Sequence, residues 1–325
     1  MRSLAIHAIG AYTGVGADAP STMAALLTQV RARVELSFGN GNTSGAAVAL
    51  PAKPSGARRL VAIAGSALGE VSELELPWPL PVILCCPGPD EIPCVPEALL
   101  ARLGAETPAL VAAEASRVFA GGRRHLPEAF TAVEKVVASS RWPACVLLGV
   151  DSFLDASRLA IAEHRRGLRS LEHPDGVLPG EAAVALLLGP WERRMSRPQI
   201  ASLVAGQVPA ASQPGTALAA LVERALAEAG VQAGQVGAVV HDLGGPAGME
   251  ELHSMMNRIP LGGVSQPIAP GDVVGETGAA SAILSVAVAT FFREQGVYAG
   301  AGLAIASDET GFRSVAVVRM GDETK

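Results

Sequence analysis

The chain has 325 residues, 49% of them hydrophobic and 17% charged, with a mean hydropathy of +0.34. That is enough apolar material for a large core. A net charge of −6 excludes a global positive field toward nucleic acid or an anionic membrane surface. Four cysteines at positions 85, 86, 94 and 145 show neither metal-ligand spacing nor a secretory disulfide framework. Reduced thiols in a cytoplasmic protein are expected, with one of Cys85 and Cys86 buried on the inner face of a strand. Arg2 is not followed by the apolar run of a signal peptide. Gly278 to Phe292, the longest apolar helix candidate, is too short for about 30 Å of hydrocarbon.

In chain order, Ser3 to Ile9 reads as a strand and Ser21 to Val34 as a helix with Ser21 as N-cap. Leu36 to Arg59, rich in Gly, Asn, Ser and Pro, reads as a long loop. Leu80 to Cys86 is an apolar strand, Pro96 to Leu103 a helix with Pro in its first turn, and Leu126 to Ser139 a helix of 3.6-residue apolar period. Strand Ala144 to Val150, helix Ser157 to Arg169 and strand Ala182 to Leu188 follow. Ile200 to Val208 reads as a strand, Thr216 to Ala229 as a helix and Val236 to His241 as a strand. The chain closes with an apolar helix, Gly278 to Arg293, and strands Leu303 to Ala306 and Ser314 to Arg319.

One order appears twice: a buried helix, a strand ending in Asp-Ser or Ser-Asp, then an apolar closing strand. It runs over 126–188 and again over 278–319, the pattern expected of an internal duplication; an unrelated α/β sandwich with coincidental symmetry is the alternative. The expected halves are 1–190 and 198–325, joined through the charged, proline-flanked segment Pro190 to Pro198 and forming one compact unit. Asp175-Gly176 followed by Pro179-Gly180-Glu181-Ala182-Ala183, and later Val274-Gly275-Glu276-Thr277-Gly278-Ala279-Ala280, carry a resemblance. So do Leu148-Gly149-Val150-Asp151 and the opening Ile9-Gly10-Ala11-Tyr12-Thr13-Gly14. The chain resembles β-ketoacyl synthases of the thiolase superfamily over most of its length. That resemblance implies an α/β thiolase-like fold, with duplicated halves giving a five-layered α-β-α-β-α sandwich.

The resemblance also marks what is missing. A ketosynthase needs a cysteine at the N-terminus of the first buried helix, where the helix end favours a thiolate. Spacing back from Val150 lands on Arg123, within Gly121-Gly122-Arg123-Arg124-His125, and no Cys, Ser or Thr lies between Val118 and Leu126. The family histidine of Gly-His-Thr-Gly is Glu276, and the lysine expected before it is replaced by Pro270-Gly271-Asp272. His241-Asp242-Leu243-Gly244 retains the other histidine. Asp308-Glu309-Thr310-Gly311-Phe312 stands where the family has a double-glycine gate.

The resemblance therefore implies a non-condensing homologue, with His241, Glu276, Arg123 and His125 as remnants of the site and Arg124, Gly275, Thr277 and Phe312 as ligand-contact candidates. Arg123 or Arg124 is expected to pair with Glu276 across the pocket; the alternative turns both arginines to solvent or an interface. An accessory subunit of an active ketosynthase is the leading reading. The alternatives are an acyl- or carrier-binding protein, with Arg165-Arg166 or Arg193-Arg194 at its entrance, and a hydrolase or acyl-transfer enzyme in which Glu276 orients His241. The two side chains are expected within reach of each other. No cofactor or metal is implied, and no nucleic-acid or membrane partner. The resemblance also implies a dimer: a homodimer first, a pair with an active ketosynthase second, with an acyl carrier protein a further possible partner. The pairing strand is placed at Leu80 to Cys86 or near Ala109 to Ala112.

Overall fold

Apolar residues on both faces of most strands dictate a sheet covered on both sides, and the computed structural model shows how it is covered. It describes residues 3–31, 33–38, 41–48, 54–88, 95–170, 173–191, 196–209, 212–264 and 266–321. The elements run β1 (Leu4–Thr13), α1 (Ala19–Thr28), β2 (Val34–Phe38), β3 (Gly41–Gly45), α2 (Gly56–Val71), β4 (Val82–Cys86), α3 (Pro96–Glu106), β5 (Arg117–Ala120) and α4 (Leu126–Ala138). They continue with β6 (Cys145–Ser152), α5 (Ala156–Arg166), β7 (Glu181–Pro190), β8 (Pro198–Gln207), α6 (Thr216–Ala229), β9 (Val236–His241) and α7 (Gly245–Arg258). The last are α8 (Gly271–Val274), α9 (Ser281–Glu294), β10 (Ala301–Ser307) and β11 (Phe312–Met320). Cys94 and Arg193-Arg194 lie outside the described residues, as do the side chains of Arg165 and Arg166.

The main sheet has the order β5-β4-β6-β7-β1-β8-β11-β10-β9. Its two ends mirror each other. In one half β4 lies parallel to β6, and β7 runs antiparallel to both β6 and β1. In the other β9 lies parallel to β10, and β11 runs antiparallel to both β10 and β8. The halves meet through a short antiparallel pairing, Leu4 with Ile200 and Ala5 with Gln199.

Alternation along the strands sorts the core into three layers. Cys145, Leu147, Ala182, Val184 and Leu186 face a central layer with α4 and α9, which also receives Ala304, Ala306, Ala316 and Val318 from the other half. Val146, Leu148, Val150, Ala183 and Ala185 face outward against α2 and α3. Val239, Leu303, Ile305, Val315 and Val317 face α6 and α7. Three helical layers separated by two sheet halves make the five-layered sandwich. Cys85 faces the centre and Cys86 the outer layer, and both are buried because the sheet is covered on each side.

Some expectations need correction. Helix α1 is capped by Asp18, whose side chain accepts from the Ser21 amide at 2.7 Å; Ser21 instead closes the capping box as the third residue. The span read as a loop from Leu36 to Arg59 holds the β2–β3 hairpin and the start of α2. Helix α7 and strand β5 also went unread. Strand β4, given above as a pairing edge, is interior; its apolar character marks a strand with neighbours on both sides, and β5 is the sheet edge. The segment around Val111 only bridges Leu80 beside it.

Candidate functional site

Central helices α4 and α9 begin close to each other, and each is met by strand ends from the opposite half. After β5 the chain turns through Gly121 and Gly122, with φ of 137° and 75°, conformations only glycine adopts freely. That elbow delivers Arg123 to the head of α4. At the head of α9, Glu276 follows Gly275 (φ 79°), and the two motif phrases lie side by side. The Glu276 amide donates to Leu178 O at 2.7 Å and the Gly180 amide to Glu276 O at 3.1 Å. A Cβ on Gly180 would overlap the Val274 carbonyl, so this approach requires glycine.

Arg123 is the hub. Its Nη2 pairs with Glu276 Oε1, its Nη1 lies 3.2 Å from Asp242 Oδ2, and the same nitrogen donates to Ser307 O at 2.9 Å. Glu276 Oε1 also accepts the Gly278 amide at 2.9 Å, at the start of the α9 entry turn. Asp242 accepts from Ser281 Oγ (2.8 Å) and from the Ser307 amide, joining β9, α9 and β10. A second pair mirrors the first: Asp151, at the end of β6, accepts from Arg158 and from the Ala279 amide, both at 2.9 Å, while the Arg158 guanidinium stacks on Phe153.

The electrostatics of this cluster close on themselves. Two arginines and two helix N-termini, each worth roughly half a positive charge, face the three carboxylates Asp151, Asp242 and Glu276. Burial alone would lower the Arg123 pKa, but Glu276 and Asp242 more than offset it and hold the guanidinium above its ordinary value.

Two cavities flank the hub and share the wall Asp242-Leu243-Gly244. One, of about 430 Å³, is lined by His241, Gly275, Glu276, Thr277, Ser281 and the loop around Asp175. The other, of about 370 Å³, is lined by Gly121, Arg123, Arg124, Phe153 and Arg313. His241 is 1% exposed and its Nδ1 has no hydrogen-bond partner. Burial holds its pKa below the usual histidine value, against the pull of Asp242, Asp272 and the Leu243 backbone.

No protein-family model and no curated protein matches the sequence. Solved structures do. A chain of the ishigamide ketosynthase/chain length factor superposes with a TM-score of 0.75 at 18% identity, covering 98% of this chain and 99% of that one. The type II PKS complex AntDE:AntF, an acyl-carrier protein with its ketosynthase, gives 0.74 at 14%, covering 98% and 99%. The ketosynthase ApeO in complex with its chain length factor ApeC, from Xenorhabdus doucetiae, gives 0.67 at 12%, with 98% of each chain covered.

The fold is that of the ketosynthases. Against the ketosynthase pattern, Arg123 occupies the elbow at the head of α4, and the described cysteines lie elsewhere. Cys85 and Cys145 are buried in strands, and desolvation pushes their thiols up to about 12. His241 and Glu276 line the same cavity, but Glu276 Oε1 is engaged by Arg123 and the Gly278 amide. Gly275 and Thr277 line that cavity too, and Arg124 lines the other. His125 and Phe312 line neither. His125 turns toward Glu128, 3.4 Å away, and Phe312 begins β11 after a turn organised by Asp308 Oδ1. Arg313 points into the second cavity instead, clamped by Glu251 at 2.7 Å.

Asp242 and Ser307 were missed as partners of Arg123. The signal was present: Ser307-Asp308 repeats Asp151-Ser152, and Asp242 adjoins His241. Glu181, noted only for its motif, is wholly buried, with Arg59 Nε donating at 2.6 Å and Ser152 Oγ at 2.9 Å. It holds α2 to β7.

Proposed function

We propose that this chain is a non-condensing ketosynthase homologue that acts as an accessory subunit, pairing with an active ketosynthase. The observation that carries the reading is Arg123 at the head of α4, held on Glu276 and Asp242 where the family requires a free thiolate. Nothing at that position attacks a thioester: a guanidinium engaged by two carboxylates and a carbonyl is no nucleophile. The hydrolase reading finds His241, but the carboxylate meant to orient it is the one Arg123 holds.

Pairing is placed on β5. It is an open sheet edge of Arg117, Val118, Phe119 and Ala120, and the last three are only half-buried. An apolar edge of this kind invites a further strand, and the solved complexes of a ketosynthase with its chain length factor agree with such a role. Co-expression with ketosynthases from the same genome, followed by affinity capture and light scattering, tests it. A stable one-to-one complex lost on Phe119→Lys supports the reading. A homodimer lost on the same substitution moves the partner to a second copy, and a monomer that captures no ketosynthase refutes it.

A further inference from the structure

The cavity beside His241 is about 430 Å³, within the range of small-molecule sites. Leu178, Met249 and Leu284 give it apolar walls, and His241, Ser281 and Ser285 form polar points of its lining. His241 is more than nine-tenths buried with Nδ1 unpartnered, an unmet hydrogen bond inside the protein. Burial keeps the ring neutral near pH 7, so a bare ring nitrogen accepts a hydrogen bond.

Charge narrows the ligand class. Two of the cavity's carboxylates, Asp242 and Glu276, share the guanidinium of Arg123. Arg169 lines the cavity together with Asp175 and Asp272, and Arg33 donates to the Asp272 carbonyl. Among the described residues the lining as a whole holds four carboxylates, Asp175, Asp242, Asp272 and Glu276, against one cation, Arg169, so a carboxylate entering the cavity meets repulsion. An apolar body with a neutral donor meets none.

We propose that this cavity binds an uncharged small molecule with an apolar body and a hydroxyl or amide head that donates to His241, and that it rejects carboxylates. The inference stands apart from pairing, because the isolated chain contains the whole cavity. The test uses hexanamide and hexanoate, matched in shape and differing in charge, titrated into chain labelled with ¹⁵N-histidine. His241 is assigned by its loss in His241→Phe. Hexanamide is expected to shift the His241 ring nitrogens saturably, and hexanoate to bind at least about tenfold more weakly. His241→Phe, followed by calorimetry, is expected to weaken hexanamide by about tenfold, the size of one neutral hydrogen bond. Met249→Trp, which places a larger side chain in the cavity and leaves His241 itself unchanged, is expected to abolish the shift. Absence of a saturable shift, equal binding of hexanoate, or unchanged affinity in His241→Phe overturns the proposal.

Discussion

Replacing Arg123 by Ala removes a cation that Glu276 and Asp242 share. The side chains of Arg123 and Glu276 are only 14% and 12% exposed, so the abandoned carboxylates stay largely desolvated and repel each other. Removing one partner of a buried ion pair costs about 3–5 kcal/mol. The two flanking cavities admit water to the gap, which places the expected loss at the lower end, about 3 kcal/mol. For a chain of this size that corresponds to a Tm lowered by roughly 4 °C. Protonating either carboxylate relieves the repulsion, so the deficit relative to the parent shrinks as the solution is made acidic. Adding Glu276→Gln to Arg123→Ala should recover part of the loss, and the cycle should return a coupling of about 1–3 kcal/mol. Urea unfolding of the parent, two single variants and the double variant at pH 7 and pH 5 measures all of this. A loss under about 1 kcal/mol for Arg123→Ala, or no coupling with Glu276, refutes the view of this cluster as a closed electrostatic unit.

His241 should titrate below the ordinary histidine value of about 6.5, followed by its ring resonances, and a midpoint at or above that value contradicts its burial. Because the folded value is the lower one, the unfolded chain takes up the proton first. The contribution of His241 to stability is therefore complete above pH 6.5 and is lost as the pH falls toward the folded value. His7, lowered by burial and by Arg197, adds to the same trend. Cys85 and Cys145, with thiols near 12, should resist iodoacetamide at pH 8 until the chain unfolds. Peptide mapping that finds either alkylated within minutes in the native protein would show the strands to be open. Phe130→Ala empties a fully buried position in the central layer and should cost about 3–5 kcal/mol in urea unfolding; a loss below 1 kcal/mol would mean that α4 is not packed there.

Much of the fold was legible because periodicity and burial coincide. Helix α6 and strand β9 keep the bounds read from their apolar spacing, and the repeated order helix, strand, strand maps onto α4–β6–β7 and α9–β10–β11. Helix α2 was lost although Leu60, Val61, Ala64, Ala67, Leu68 and Val71 form a helical stripe, since the Gly- and Pro-rich run before it masked the start. Strand β5 has four residues and is half-buried, too short a pattern to register. Placing its neighbour β4 at the edge rests on the family's pairing strand and on an apolar run, whereas residues apolar on both faces indicate the interior of a parallel sheet. In the site, the position of Arg123 followed from spacing and its attraction to Glu276 from charge. The choice of Arg123 over Arg124 depended on the left-handed turn at Gly121-Gly122, which composition does not specify. Arg124 stays at the surface, its Nε 3.4 Å from Gly121 O.

The central claim is that this ketosynthase fold no longer forms an acyl-enzyme. Intact-mass spectrometry of the isolated chain, after incubation with an acyl thioester and a malonyl thioester, tests it most directly. The account predicts the unmodified mass and no ketoacyl product, because Arg123, paired with Glu276, stands at the head of α4 and the buried thiols at Cys85 and Cys145 lie elsewhere. A mass increment equal to one acyl group, with ketoacyl product released on adding the malonyl thioester, would contradict it.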